Sequence, residues 1–179
     1  MAKARGRNAS NSGRYSEDTV EAMLRLAGFV VVNNKAQRDA RPTAVRQYPV
    51  PHPFRPDSPR AGKNDFMLFA GGVKVYCQVK NQTSSGTCDE KLSFAFDIAR
   101  YAVNDEPFDV FALILLGTWW PNNPHIIAWA NSKASEFEAL ARGTRRDVSA
   151  VVLVGPGELS EWLTTLDINP NISSGNLFD

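Results

Sequence analysis

Apolar and polar positions alternate cleanly between residues 73 and 80. Val73, Val75, Cys77 and Val79 fall on one face of an extended chain, and Lys74, Tyr76, Gln78 and Lys80 on the other. Phe66–Phe69 reads as a strand, and Gly71-Gly72 supplies the turn that pairs it with the alternating segment as a hairpin. Elsewhere the period is helical. Val20, Met23, Leu24 and Ala27 stripe a helix that Ser16 caps and Gly28 ends, followed by a strand at Phe29-Val30-Val31-Val32. Thr87 and Glu90 have capping-box spacing for a helix to about Asn104, with Leu92, Phe96, Ala99 and Val103 as its buried stripe. Val110–Leu116 is a continuous apolar run, the signature of a central strand. Further on, the pattern predicts a strand at Ile126–Trp129, a helix at Ser132–Arg142 and a strand at Ala150–Val154. Leu159, Trp162, Leu163 and Leu166 stripe a last helix. This order predicts an α/β sandwich with a mixed sheet.

The pattern divides the chain into a polar, basic arm over residues 1–13, a single domain over 14–167 and a polar tail over 168–179. Residues 33–64 read as one long irregular segment, rich in proline between Pro42 and Pro59, and a loop of that length in a small domain points to function. A chain of 179 residues with 43% hydrophobic residues sustains a core and excludes a disordered tail. No apolar run reaches the roughly 20 residues that cross a bilayer, and no apolar signal region follows the basic N-terminus, so a cytoplasmic protein without a membrane partner is expected. Cys77 and Cys88 form no CxxC pair and read as buried free thiols.

The net charge of +1 conceals an asymmetry. Residues 1–63 hold 12 Lys and Arg against 5 Asp and Glu, whereas residues 64–179 hold 8 against 14. The basic third suggests a polyanion partner, although a solvated face accounts for such charge equally well. Much of it lies in the proline-rich segment, at Arg41, Arg46, Arg55, Arg60 and Lys63.

The hairpin carries the candidate chemistry. Asp65 opens its first strand, and Gln78 and Lys80 share one face near the end of its second, so the three converge in space. A carboxylate and an amide oxygen suit Mg²⁺, a hard cation, and a nearby lysine can orient or deprotonate a water and face a phosphate. Asn64-Asp65, twelve intervening residues and Gln78-Val79-Lys80 resemble the signature of the PD-(D/E)XK superfamily of restriction-endonuclease-like nucleases, in its QxK form. Asn64 stands where that signature has Pro, and Gln78 where it has an acid, which removes one negative charge at the metal. The resemblance implies a mixed sheet flanked by helices on both faces. It also implies Mg²⁺, with Mn²⁺ able to substitute, held by Asp65, Gln78 and the Val79 carbonyl, and Lys80 serving the attacking water. Members of the superfamily often place a glutamate on the helix before the first strand, and Glu17 matches that place eleven residues before Gly28. At about 100° per residue, Glu17 lies about 70° from the centre of the apolar stripe and Glu21 about 110°. Glu17 and Asp18 equally suit the positive helix N-terminus without any catalytic role.

Downstream, Lys80-Asn81-Gln82 and Gly86-Thr87-Cys88-Asp89-Glu90-Lys91-Leu92 resemble restriction-type and phage-type members. Lys91 is a candidate phosphate contact or a solvated helix residue, and Glu90 serves the cap. His52 and His125 have no partner at a telling distance, and Trp119-Trp120 suits packing better than base stacking. The expected function is a Mg²⁺-dependent DNA endonuclease, and the resemblance implies a restriction or phage setting, where such enzymes commonly act as homodimers so as to cut both strands. The rivals are a Holliday-junction or other structure-specific nuclease, and a non-catalytic DNA-binding or assembly protein with the same fold.

Overall fold

The computed structural model describes residues 2–33, 42–50, 62–84, 88–142 and 147–166. The hairpin forms as the alternation requires. Strand β5 (Phe66–Ala70) pairs antiparallel with β6 (Val73–Asn81), from Phe66 opposite Cys77 to Ala70 opposite Val73. Gly71 and Gly72 turn the chain at φ 54° and 82°, values that glycine adopts without a Cβ penalty.

Four further strands extend this hairpin, two on each side. Strand β7 (Val110–Leu116) runs parallel to β6, and β8 (Ser149–Val154) runs parallel to β7. On the other side, β2 (Thr43–Arg46) pairs antiparallel with β5, and β1 (Val30–Val32) pairs parallel with β2. The result is a mixed six-stranded sheet of order β1-β2-β5-β6-β7-β8. A small ribbon of β3 (Pro49–Val50) and β4 (Gly62–Lys63) stands beside it.

Helices cover both faces. Along β7, Phe111, Leu113 and Leu115 enter one core, and Ala112, Ile114 and Leu116 the other, which is why that strand reads as an unbroken apolar run. The first core is closed by α2 (Cys88–Asp105) and α3 (Pro124–Arg142), through Leu92, Phe96 and Ala99 of one and Ala130, Ala134 and Phe137 of the other. The second is closed by α1 (Ala2–Leu26) and α4 (Gly155–Thr165), through Val20 and Leu24, and Leu159 and Leu163. Among the described residues no helix is long and apolar enough to cross a membrane.

Three expectations are corrected. Ile126–Trp129 is not a strand but the first turns of α3. A short apolar run is ambiguous in period, and Pro124 at the first helical position, with its φ already suited to a helix, is the signal that decides it. Residues 33–64 are not wholly irregular, because β2 lies inside them between β1 and β5. Four residues are too few to display a period, so long-range pairing creates that strand. Helix α1 begins at Ala2, not at Ser16. The proposed cap at Thr87 and the tail after Asp167 lie outside the described residues.

The exits of β6 and β7 are knitted together. Gln82 donates its N–H to Leu116 O at 2.9 Å, and Trp119 donates to Gln82 O at 3.1 Å. Gly117 crosses this point at φ 104°, where an added Cβ would lie 2.3 Å from Gln82 O and 2.6 Å from Asn81 Oδ1. Both the backbone angle and the contact oppose a side chain. Gly117→Ala is expected to destabilise the fold by about 2–4 kcal/mol. A urea titration checks this, and an unchanged midpoint would show that the loop yields at no cost.

Candidate active site

Asp65 lies one step before β5, so the hairpin register sets it opposite Gln78. Its backbone continues the sheet, because Gln47 N–H donates to Asp65 O at 2.9 Å. Its carboxylate turns to β6, where Oδ2 accepts the Val79 N–H at 2.6 Å. The side chain thereby completes a ladder that β5 is too short to supply.

Two residues along the same face of β6, Lys80 Nζ donates to Gln78 Oε1 at 2.7 Å. Gln78 is buried, with 5% of its surface exposed, and its Nε2 lies 3.5 Å from the Tyr76 hydroxyl, the outer limit of a hydrogen bond. Asp65 and Lys80 are partly buried. Burial holds the Asp65 carboxyl above the usual carboxylate range, against the opposing pull of the Lys80 charge and the Val79 N–H. Burial likewise holds the Lys80 ammonium below the usual lysine range, against the pull of Asp65. Each charge is thus strained by desolvation and relieved by the other.

Glu17 of α1 reaches this pair electrostatically. Its charge raises the pKa of both Asp65 and Lys80. Its carboxylate is itself bound by Arg46 of β2, at 3.1 Å from Nη2 and 3.2 Å from Nε. Asp18 and Glu21 share that guanidinium through Nη1, each at 2.8 Å. Arg46 was expected as a loop residue facing DNA; it is a strand residue facing α1, because β2 forms there. The charge of Arg46 also lowers the Asp65 pKa, so it acts at the edge of the same site.

On the far side Lys91, exposed on α2, lowers the Lys80 pKa and lies 3.5 Å from Gln82 Oε1. Gln82 is buried, 8% exposed, and its Nε2 donates to Ser84 O. Asn64, beside Asp65, is fully buried. Its Nδ2 donates to Phe66 O at 2.8 Å, while its Oδ1 has no hydrogen-bond partner. In the sequence Asn64 marks only the place where the signature has Pro, and Gln82 only the end of the Lys80-Asn81-Gln82 stretch. Their polarity in positions flanking Asp65 and Lys80 was the available signal.

The remaining candidates separate. Arg41, Arg55, Arg60 and His52 lie outside the described residues, and Lys63 is placed in β4 without a described side chain. His125 and Glu90 are exposed on their helices. Trp120 is buried and donates Nε1–H to Leu116 O at 2.8 Å, with Trp119 packed edge-on against it at 5.2 Å, so both serve packing. Cys77 is buried and its thiol is pushed far above its usual range by desolvation, which removes it as a nucleophile.

Among the described residues no three His, Cys, Asp or Glu side chains are grouped to share a metal ion. The donors present at the hairpin end are one carboxylate and one amide oxygen. Two such oxygens could contribute to holding a hard divalent cation such as Mg²⁺, which takes one or two protein carboxylates and keeps several waters, although here Asp65 Oδ2 accepts from Val79 and Gln78 Oε1 from Lys80. Comparison with protein-family models, with curated proteins and with solved structures found no match for this chain.

Proposed function

We propose that this chain is a metal-dependent DNA endonuclease of the restriction-endonuclease-like kind, hydrolysing phosphodiester bonds at Asp65, Gln78 and Lys80. The observation that carries the reading is the convergence of these three side chains at one end of the sheet, with the Asp65 and Lys80 charges both displaced by burial. Groups strained in this way cluster at functional sites. The mixed sheet between two helical layers agrees with the reading, as does the basic charge of residues 1–63.

The roles follow from the positions. Asp65 and Gln78 Oε1 would hold Mg²⁺, with the Val79 carbonyl as a further donor and Glu17 as a second carboxylate. The ion would neutralise charge developing on the phosphate and lower the pKa of its water. Lys80, with its proton held less tightly than in water, receives a hydrogen bond from the attacking water when neutral, or donates to the phosphate when charged. Neutral Lys80 would take a proton from the attacking water as the water oxygen bonds to phosphorus and the opposite P–O bond breaks, and the leaving oxygen would take up a proton from solvent water. Lys91 and the basic side chains Arg41, Arg55, Arg60 and Lys63 would contact the DNA backbone without reading sequence. A homodimer would let two such sites cut both strands.

The test is incubation with supercoiled plasmid, linear duplex and four-way junctions in Mg²⁺ and in Mn²⁺. Metal-dependent nicking of duplex is expected, and cutting confined to junctions would assign the structure-specific alternative. One observation favours a second reading, a DNA-binding protein without catalysis: Glu17 is engaged by Arg46, and Gln78 brings no charge. No cleavage of any substrate with either ion would establish that reading instead.

Gln78→Glu bears on the same point. The added carboxylate would face Lys80 at a distance where Gln78 Oε1 now accepts at 2.7 Å, and it would supply the charge that a divalent ion prefers. The variant is expected to cleave at lower Mg²⁺ concentration than the parent chain. A folded but inactive variant would remove Gln78 from the metal site.

A further inference from the structure

Arg46 is held by more acid than an ordinary ion pair needs. Its side chain is 16% exposed, and Glu17, Asp18 and Glu21 all bind its guanidinium within 3.1 Å. Glu21 is also bound by Arg25 at 2.8 Å, so three carboxylates face two guanidinia along one side of α1. Glu17 is the member of this set whose charge also reaches Asp65 and Lys80. Arg46 lies opposite Phe66, the residue after Asp65, and Gln47 next to it donates its N–H to Asp65 O, so the arginine that binds Glu17 sits on the strand beside the candidate cation site, and one carboxylate cannot serve both fully at once.

We propose that Arg46 is a positioning residue that withholds Glu17 from the cation site until a DNA phosphate takes the guanidinium. This rests on the nuclease reading above. The chemistry is an exchange of partners. In the free protein Arg46 binds Glu17. In the complex Arg46 binds a phosphate, for which its planar fork is suited, and Glu17 is released to a divalent cation beside Asp65. No bond is made or broken covalently. Because one exchange links two ligands, each raises the affinity for the other by the same factor. The device keeps the site poorly loaded away from DNA and loads it on a phosphodiester backbone.

The experiment measures Ca²⁺ binding by calorimetry, using Ca²⁺ as an ion of the same charge and oxygen preference, with and without a short DNA duplex. A duplex is expected to raise the affinity of the parent protein for Ca²⁺ by about fivefold or more, the lower end of ordinary site-to-site coupling. In Glu17→Gln that gain is expected to fall below about twofold, because the carboxylate to be released is gone. Arg46→Met is expected to bind Ca²⁺ more tightly without DNA, and Arg46→Met combined with Glu17→Gln to lose the increase. Where Arg46→Met does not fold, the Glu17→Gln comparison decides alone. A duplex-induced gain that is equal in the parent and Glu17→Gln overturns the proposal, as does an Arg46→Met protein that binds Ca²⁺ no more tightly than the parent. Asp65→Asn separates this from failure of the site itself. Ca²⁺ binding that ignores Asp65 overturns the metal reading, whereas Asp65-dependent binding without the two expected changes overturns only the role of Arg46.

Discussion

Lys80→Ala is expected to lower single-turnover cleavage by about 10²–10⁴-fold, the range that one positioned proton-transfer group contributes. The argument starts from its environment. Lys80 is partly buried at the end of β6, its ammonium is destabilised by desolvation, and its partners are the Gln78 amide oxygen and the Asp65 charge. Nothing in the packing of the sheet requires it. Lys80 pairs through its backbone with Leu115 of β7, and that pairing survives truncation. Two stability effects oppose each other. Removing the ammonium relieves its burial, and it also leaves Asp65 without its nearest opposite charge. Their difference is expected to stay within about 1 kcal/mol, which moves the melting temperature of a domain this size by about 2–4 °C. DNA binding is expected to persist, since the proposed reading leaves the other basic groups free to contact the backbone. Cleavage within tenfold of the parent, in a protein of unchanged melting temperature, would remove Lys80 from the reaction.

The parts of the fold that were legible from sequence are those in which a local period and a local turn agree. The hairpin is the best case. Alternation over Val73–Lys80 and the Gly71-Gly72 turn fix the register of β5 and β6, and that register alone brings Asp65 opposite Gln78. The α2 stripe and the apolar β7 run were equally plain, because burial on one face or on both leaves its own pattern. Legibility fails where pairing is made at long range. Strand β2 is only Thr43–Arg46, yet it sits between β1 and β5. Missing it put Arg46 in a loop, and the consequence was chemical as well as topological. As a strand residue opposite Phe66, Arg46 is carried to α1 and meets Glu17. Sequence spacing nominated Glu17 as a site residue, but no local pattern could show that an arginine 29 residues away would bind its carboxylate. At Ile126–Trp129 the failure was one of length, since four apolar residues fit either period.

Asp65→Asn and Asp65→Ala are expected to separate the two functions of one side chain. Asp65 Oδ2 accepts the Val79 N–H at 2.6 Å, a bond that closes the sheet where β5 stops. Asparagine retains an oxygen for that bond and loses only the charge. Alanine loses both. An N–H left without an acceptor in a partly buried place costs about 1–3 kcal/mol, so the alanine variant is expected to melt about 2–12 °C below the parent and the asparagine variant close to it. Cleavage is expected to follow the charge and not the hydrogen bond. Both variants are expected to fall by about 10³-fold or more, the scale on which loss of an aimed electrostatic group acts, because a neutral amide neither attracts a divalent ion as a carboxylate does nor offsets the desolvated Lys80 ammonium. DNA affinity supplies an independent sign. Removing a negative charge beside the expected path of a polyanion strengthens attraction, so Asp65→Asn is expected to bind duplex at least as tightly as the parent while failing to cut it. An asparagine variant that cleaves within tenfold of the parent would reduce Asp65 to a structural cap on β6. An asparagine variant that loses stability as alanine does would show that the Val79 hydrogen bond depends on the charge.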